Sequence, residues 1–397
     1  MKQLPKKIIL CFLFLALVSA SVFGQEHILL SYKQNFIRAG LAAKAGILRD
    51  AATDSRSEEF IGELYEFALQ FALENGEVLT DDADMIALIS VAARGAGMVN
   101  YRASAETLWK IFLLYRDSLS RVEILRALAA LGNDEGVIDS LNQFLVGQNN
   151  LFRSGEIPDY PTLSACIAAL GSLGDSSSFP VLFSAFTAGY PSSVNAEIQR
   201  ALESLRGNYA QSLNDIIRKS PPAEKLAAFR LGMESRKLIL AEQGALAQTA
   251  LDVSINYVPE NVDTGTMINS LRYAAISSLT GFQWTQASPL VIRHFYRIQT
   301  DFQRGEAPKE RLLEALACLG AMGNAECAQV LALQLGYSNS RAERSGDFDE
   351  DIILTLIQAL GDTGDKAAFD YLLYIRYLNY PEKIQAAARD ALTKLQW

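Results

Sequence analysis

The stretch QALGDTGDKAAFDYLLYI, Gln358 to Ile375, decides the fold. Its apolar residues before Gly361 continue a helical spacing that begins at Asp351, in DIILTLIQAL. Gly361 is expected to take the left-handed conformation that ends a helix without steric cost. Asp365 then stands where a side-chain oxygen accepts from the free N–H groups that open the next helix. The same phrase returns at ACIAALGSLGDSSSFPVLFSAF, from Ala165, and at ALACLGAMGNAECAQVLALQL, from Ala315. Asp175 and Asn324 hold the place of Asp365. Glycine and aspartate are common in any turn, but several copies in register describe a repeated helix–helix hairpin.

Working outward, the glycines that close apolar runs are Gly95, Gly132, Gly171, Gly207, Gly281, Gly320 and Gly361. They follow one another at steps of 36 to 41 residues, with one double step whose midpoint is Gly244. A period of that length marks a helical repeat array. One hairpin cannot bury its own apolar face, and stacked hairpins share a continuous core. The expected fold is therefore all-α, an α-solenoid or α-α superhelix of about eight or nine stacked hairpins, over residues 25–397 as a single body. Between Ser220 and Asn261 two registers fit. One puts the turn at Gly244. The other puts it at LGM, Leu231 to Met233, followed by a longer second helix. Tyr-Pro pairs at Tyr160-Pro161, Tyr190-Pro191 and Tyr380-Pro381 each precede a helical pattern, where proline forfeits no hydrogen bond. Their tyrosines are expected to cover helix ends, with binding as the alternative.

ALGSLGDSSSFPVL (from Ala169), ALGDTGDKAAFDYL (from Ala359) and CLGAMGNAECAQVL (from Cys318) resemble HEAT repeats, especially the short bacterial type found in phycocyanobilin lyases. The likeness is clear over roughly 119–206 and 311–397. It implies the solenoid fold and a bacterial source. It lies in turn and core positions, so it carries no catalytic residue across. The Trp and Leu-Gly-x-x-Tyr pattern of tetratricopeptide repeats is missing.

The start of the chain reads differently. MKQLPKK is basic, and IILCFLFLALV, Ile8 to Val18, is unbroken apolar sequence that small residues follow. That order is expected of a secretory signal peptide over residues 1–24, with cleavage after Gly24 or after Ala20. An uncleaved N-terminal anchor is the alternative, although Ile8 to Gly24 is short for a span of about 20 residues. Cys11 lies too early to carry a lipid at the cleavage site. The formal charge of −9 becomes −12 once three lysines are removed with the leader. An acidic chain is a poor partner for nucleic acid and for anionic lipid. No stable membrane insertion is expected after cleavage.

Chemistry is sparse. His27 stands by the cleavage site, and His294 falls inside a helical pattern as a structural or surface residue. No HExxH, paired CxxC or Gly-rich phosphate loop occurs. The acid runs GDFDEDI (from Gly346) and TDDAD (from Thr80) lack the spacing of a calcium loop. Both stand just before helices, where carboxylates suit the positive end of the dipole. Cys166, Cys318 and Cys327 form no disulfide framework. They read as small buried apolar residues, with a Cys318–Cys327 bridge as the alternative. No catalytic, metal or cofactor site is read.

Three connections read as long: Gly147 to Asp159, Thr300 to Pro308, and Gly336 to Glu350. Solenoids often bind at such insertions. These carry Phe152, Arg153, Phe302, Arg304, Tyr337, Arg341 and Arg344, of types enriched at binding hot spots. The expectation is an exported, periplasmic or secreted scaffold or adaptor, non-catalytic, that binds another envelope protein. An envelope enzyme acting on a glycan or modified protein is one alternative. A component that binds peptidoglycan or a lipid head group is the other.

Overall fold

The computed structural model describes residues 28–53, 58–132 and 135–396. The leader, with Cys11 and His27, lies outside them. The chain divides between Gly207 and Asn208 into two compact units. Each is an all-α stack of helical hairpins, and among the described residues the one strand-like feature is an isolated bridge, Asp365 to Gln396.

In unit 1, residues 28–38 form α1. There follow α2 (Leu41–Thr53), α3 (Glu58–Glu74), the single turn α4 (Gly76–Leu79), α5 (Ala83–Met98), α6 (Ala105–Leu114), α7 (Ser118–Leu131), α8 (Glu135–Arg153), α9 (Tyr160–Leu173), α10 (Phe179–Phe186) and α11 (Ser192–Ser204). Helices α2, α5, α7, α9 and α11 pack side by side as one layer, called A here. Helices α3, α6, α8 and α10 form the second layer, B. Unit 2 repeats the plan. Its A layer is α13 (Pro222–Glu234), α15 (Val262–Phe282), α17 (Lys309–Met322), α19 (Glu350–Thr363) and α21 (Glu382–Thr393). Its B layer is α12 (Tyr209–Lys219), α14 (Leu240–Asn256), α16 (Ser288–Gln303), α18 (Ala325–Ser345) and α20 (Phe369–Tyr374). The core lies between the layers. Leu125, Leu128, Leu163, Ile167 and Leu170 are fully buried in unit 1, as are Leu316, Leu319, Leu331, Leu356 and Leu360 in unit 2. Each such side chain contributes about 1.5–3 kcal/mol.

The capping residues do what their spacing implies. Asp175 and Asp365 accept from the backbone N–H of Ser177 and Ala367, each at 2.8 Å, and Asn324 accepts from Cys327 at 3.0 Å. The acid runs are helix starts: Asp82 caps α5 and Asp349 caps α19. The glycine reading needs correction. Gly361 does not end its helix; α19 runs on to Thr363, and the left-handed residue is Gly364, φ 65°. Likewise α9 and α17 end at Gly174 and Gly323, not at Gly171 and Gly320. The first glycine of Leu-Gly-x-x-Gly serves packing instead. A Cβ on Gly320 would stand 2.9 Å from the Ala359 Cα, and one on Gly171 3.0 Å from the Ala201 Cα. Neighbouring A helices thus touch almost backbone to backbone.

The contested middle adopts the Leu231–Met233 register. Helix α13 ends at Glu234, and Gly244 lies inside the longer α14, where a Cβ would meet the Trp284 ring at 2.5 Å. The three cysteines are free and buried, with burial pushing the thiols of Cys166 and Cys318 up to about 12 and that of Cys327 to about 11. No helix among the described residues is long and apolar enough to cross a membrane.

Candidate functional site

The long connections are mostly helix. Helix α8 continues through Gly147 to Arg153, α16 to Gln303, and α18 to Ser345. The true turns are short. Polar, glycine-bearing sequence reads as loop, but a buried asparagine fixes each of two extensions. Asn149, on α8, donates to the Val181 carbonyl at 3.3 Å and accepts from the Tyr190 hydroxyl at 3.1 Å. Asn339, on α18, donates to the Tyr371 carbonyl at 3.1 Å and accepts from the Tyr380 hydroxyl at 3.2 Å. Both asparagines are at most 2 % exposed. The Tyr-Pro tyrosines at 190 and 380 are therefore locks, and burial pushes their hydroxyls up to about 12.

This placement sorts the seven candidate residues. Phe152 stacks on Tyr190 at 4.2 Å, and Arg153 donates to the Ser184 carbonyl at 2.8 Å. Both are spent within unit 1. Arg304 ends α16 exposed, and Arg344 bonds its own helix at Ser340. Phe302, Tyr337 and Arg341 do come together, in a cleft of about 100 Å3 between α16 and α18 that Phe348 and Asp349 close. There Arg341 pairs with Asp347, and Gln299 bonds Gln334 at 2.6 Å. Lys309 holds Asp349 at 3.3 Å and Asp351 at 2.6 Å beside it, which keeps the Asp351 carboxyl below its ordinary range.

Larger openings lie on the outer face of the A layers, where sequence reading placed nothing. In unit 1 a groove of about 770 Å3 runs across α7, α9 and α11. Its floor is Ala129, Ala165, Ala169 and Gly171, and its rims carry Arg126, Glu197 and Arg200. It exists because the small-residue contacts draw the A helices close and leave no large side chain above them. Beneath one rim, buried Glu123 accepts from Arg94 at 3.0 Å and Arg126 at 2.9 Å. The Arg94 bond, outweighing burial, holds its carboxyl below the usual range. The available clue was small residues at helical spacing on one face of α9, but core positions share that composition.

In unit 2 an A-face groove of about 530 Å3 lies between α15 and α17. Tyr273, Arg311, Glu314 and the hydroxyl residues Ser270, Ser277 and Thr280 line it. The Arg311 guanidinium lies 4.0 Å over the Tyr273 ring and pairs with Glu314 at 2.7 Å. Arg272 is 3 % exposed and donates to the Tyr273 hydroxyl at 3.3 Å, while its Nε has no partner among the described residues. His294, on α16, is buried, which selects the structural over the surface reading, and burial, Arg272 and Arg297 push it down to about 3. It is neutral at pH 7. Among the described residues no group of three or more His, Cys, Asp or Glu side chains is placed to hold a metal ion.

No protein-family model matches the sequence, and no curated protein matches it. One solved structure, described as "A conserved phosphorylation switch controls the interaction between cadherin and beta-catenin in vitro and in vivo", shares 12 % identity. The match covers 90 % of this chain and 91 % of that one, with a TM-score of 0.29. So loose a superposition adds nothing to the helix packing described above.

Proposed function

We infer that the protein is a non-catalytic scaffold of the HEAT-like class, exported to the bacterial envelope, that holds another protein on its A face. The groove across α7, α9 and α11 carries this reading. Its small-residue floor lets a partner's backbone approach closely, and its charged rims offer register. Protein-binding patches commonly set an apolar centre inside a polar rim, as this groove does. The leader sequence supports export. The cleft of Phe302, Tyr337 and Arg341 supplies a second, smaller surface with the residue types of binding hot spots.

The test is affinity purification of the tagged chain from its own envelope fraction, beside a variant carrying Ser164→Arg and Ala168→Arg. Both positions line the groove. One protein recovered with the parent and lost with the folded variant is the expected result. Equal recovery by both would remove the groove from the account. A Tyr337→Ala, Arg341→Ala variant then decides whether the B-side cleft is the contact instead.

A further inference from the structure

We propose that the α15–α17 groove of unit 2 reads a carboxylate, the side chain of an Asp or Glu on an acidic segment of the protein partner. This rests on the scaffold reading and names the chemistry of one of its contacts. The warrant is charge and hydrogen-bond direction. Two guanidiniums, Arg311 at 4.0 Å and Arg272 at 5.2 Å, lie against one ring, Tyr273. Among the described residues a single carboxylate, Glu314, is paired with either of them.

Arg272 is a permanent charge, because guanidinium does not deprotonate in proteins. Burying it without a counter-charge is costly. Its bond to Tyr273 runs from guanidinium to hydroxyl, so the phenolic oxygen is an acceptor there. The Tyr273 proton is then left to be donated elsewhere, and the buried positive charge strengthens that donor. The groove thus offers a polarised O–H beside the Arg311 fork. Glu314, on the turn of α17 after Arg311, already shows what the fork accepts. A partner carboxylate would either share Arg311 with Glu314 or displace it, taking the Tyr273 proton as a second bond. The hydroxyls of Thr280 and Ser270 are committed to the Ile276 and Thr266 carbonyls of their own helix, so they shape the wall without competing.

The experiment uses the full-length chain and fluorescein-labelled, end-capped peptides of alternating Glu and Ala, with the Gln-Ala peptide as the neutral isostere. Fluorescence anisotropy at low salt is expected to show the Glu peptide binding about tenfold or more tightly than the Gln peptide, the range for a charge-assisted bond. Arg311→Gln should abolish that preference. Glu314→Gln should tighten Glu-peptide binding severalfold, because the resident competitor is gone. Tyr273→Phe should weaken it severalfold, and since that change also removes the partner of Arg272, it counts only where the melting temperature holds. Arg218→Gln, on α12 of the B layer, should leave the preference intact. Equal binding of the two peptides, no binding of either, or weaker binding in Glu314→Gln overturns the proposal. If the preference fails while the envelope partner is still captured through unit 1, this inference falls alone. If the preference holds but no partner is captured, the scaffold reading falls.

Discussion

Asn149 with Tyr190 in unit 1, and Asn339 with Tyr380 in unit 2, are the same device at a constant offset of 190 residues (339 − 149 and 380 − 190). The offset holds for more than the lock. Gly174 and Gly364 share the left-handed cap, and Asp175 and Asp365 share the N-cap. Gly171 against Ala201 corresponds to Gly361 against Ala391. The Gly174 carbonyl accepts from the Arg206 N–H at 2.8 Å, and the Gly364 carbonyl from the Gln396 N–H at 2.7 Å. The surfaces do not follow. Pro161, Ala168 and Arg200, which line the unit 1 groove, stand against Asp351, Gln358 and Asp390. On the A face of unit 2, between α17 and α19, the lining instead includes Glu310, Glu314 and Asp362. The frame is duplicated down to single hydrogen bonds while the exposed A face changes character. The buried set is what the fold requires, and the exposed set is free to suit different contacts.

The comparison breaks most readily at the locks. Asn149→Leu and Asn339→Leu each strand a buried tyrosine hydroxyl and a carbonyl, at a cost of about 3 kcal/mol. Hydrogen exchange on peptides from each unit should show the loss confined to the mutated unit and similar in both. A loss produced by only one of the two variants would end the claim of equivalence. Next come the packing glycines. Gly320→Ala pushes a Cβ against the Ala359 backbone and should cost about 2 kcal/mol by overpacking. Gly281→Ala, with open space around its Cβ, should cost nothing, as read from urea midpoints.

Acid separates the units. His294 sits at about 3 when folded and near 6.5 when unfolded. Between those values the unfolded chain binds the extra proton, so stability falls as pH drops through that window, by up to about 1.4 kcal/mol per pH unit. Exchange from unit 2 should accelerate there, and His294→Asn should remove the dependence. Glu123 marks unit 1 with a weaker effect. Its folded carboxyl is depressed, so it stabilises above about pH 4.3 and that contribution is lost as pH falls through the folded value. Because Arg94 and Arg126 are more than half exposed, Glu123→Gln should cost only about 1 kcal/mol at pH 7, a cost that disappears in acid titration once the folded carboxyl is protonated.

How far the sequence carries the reader differs between frame and surface. Helical spacing, the Asp and Asn caps, the Tyr-Pro openings and the helix starts at both acid runs are local, and each reads correctly from its own few residues. The choice between the two glycines of Leu-Gly-x-x-Gly is not local. Gly361 and Gly364 have the same composition around them, and only Ala391, on the next A helix, distinguishes the packing glycine from the cap. The extended α8 and α18 escape notice for the same reason, since Asn149 and Asn339 find their partners on other helices. The unit 1 groove is assembled from three separate segments and floored by residues that resemble core, so nothing in any one segment marks it.

The most direct test of an A-face scaffold is site-specific photo-cross-linking in the envelope. A benzoylphenylalanine would be placed in turn at Ala168 and Ser277, on the A-face grooves, and at Tyr337, in the B-side cleft. A protein should be trapped from Ala168, from Ser277 or from both, and Tyr337 should trap less of it or none. Trapping from Tyr337 alone would contradict the account and move the binding surface to the other layer.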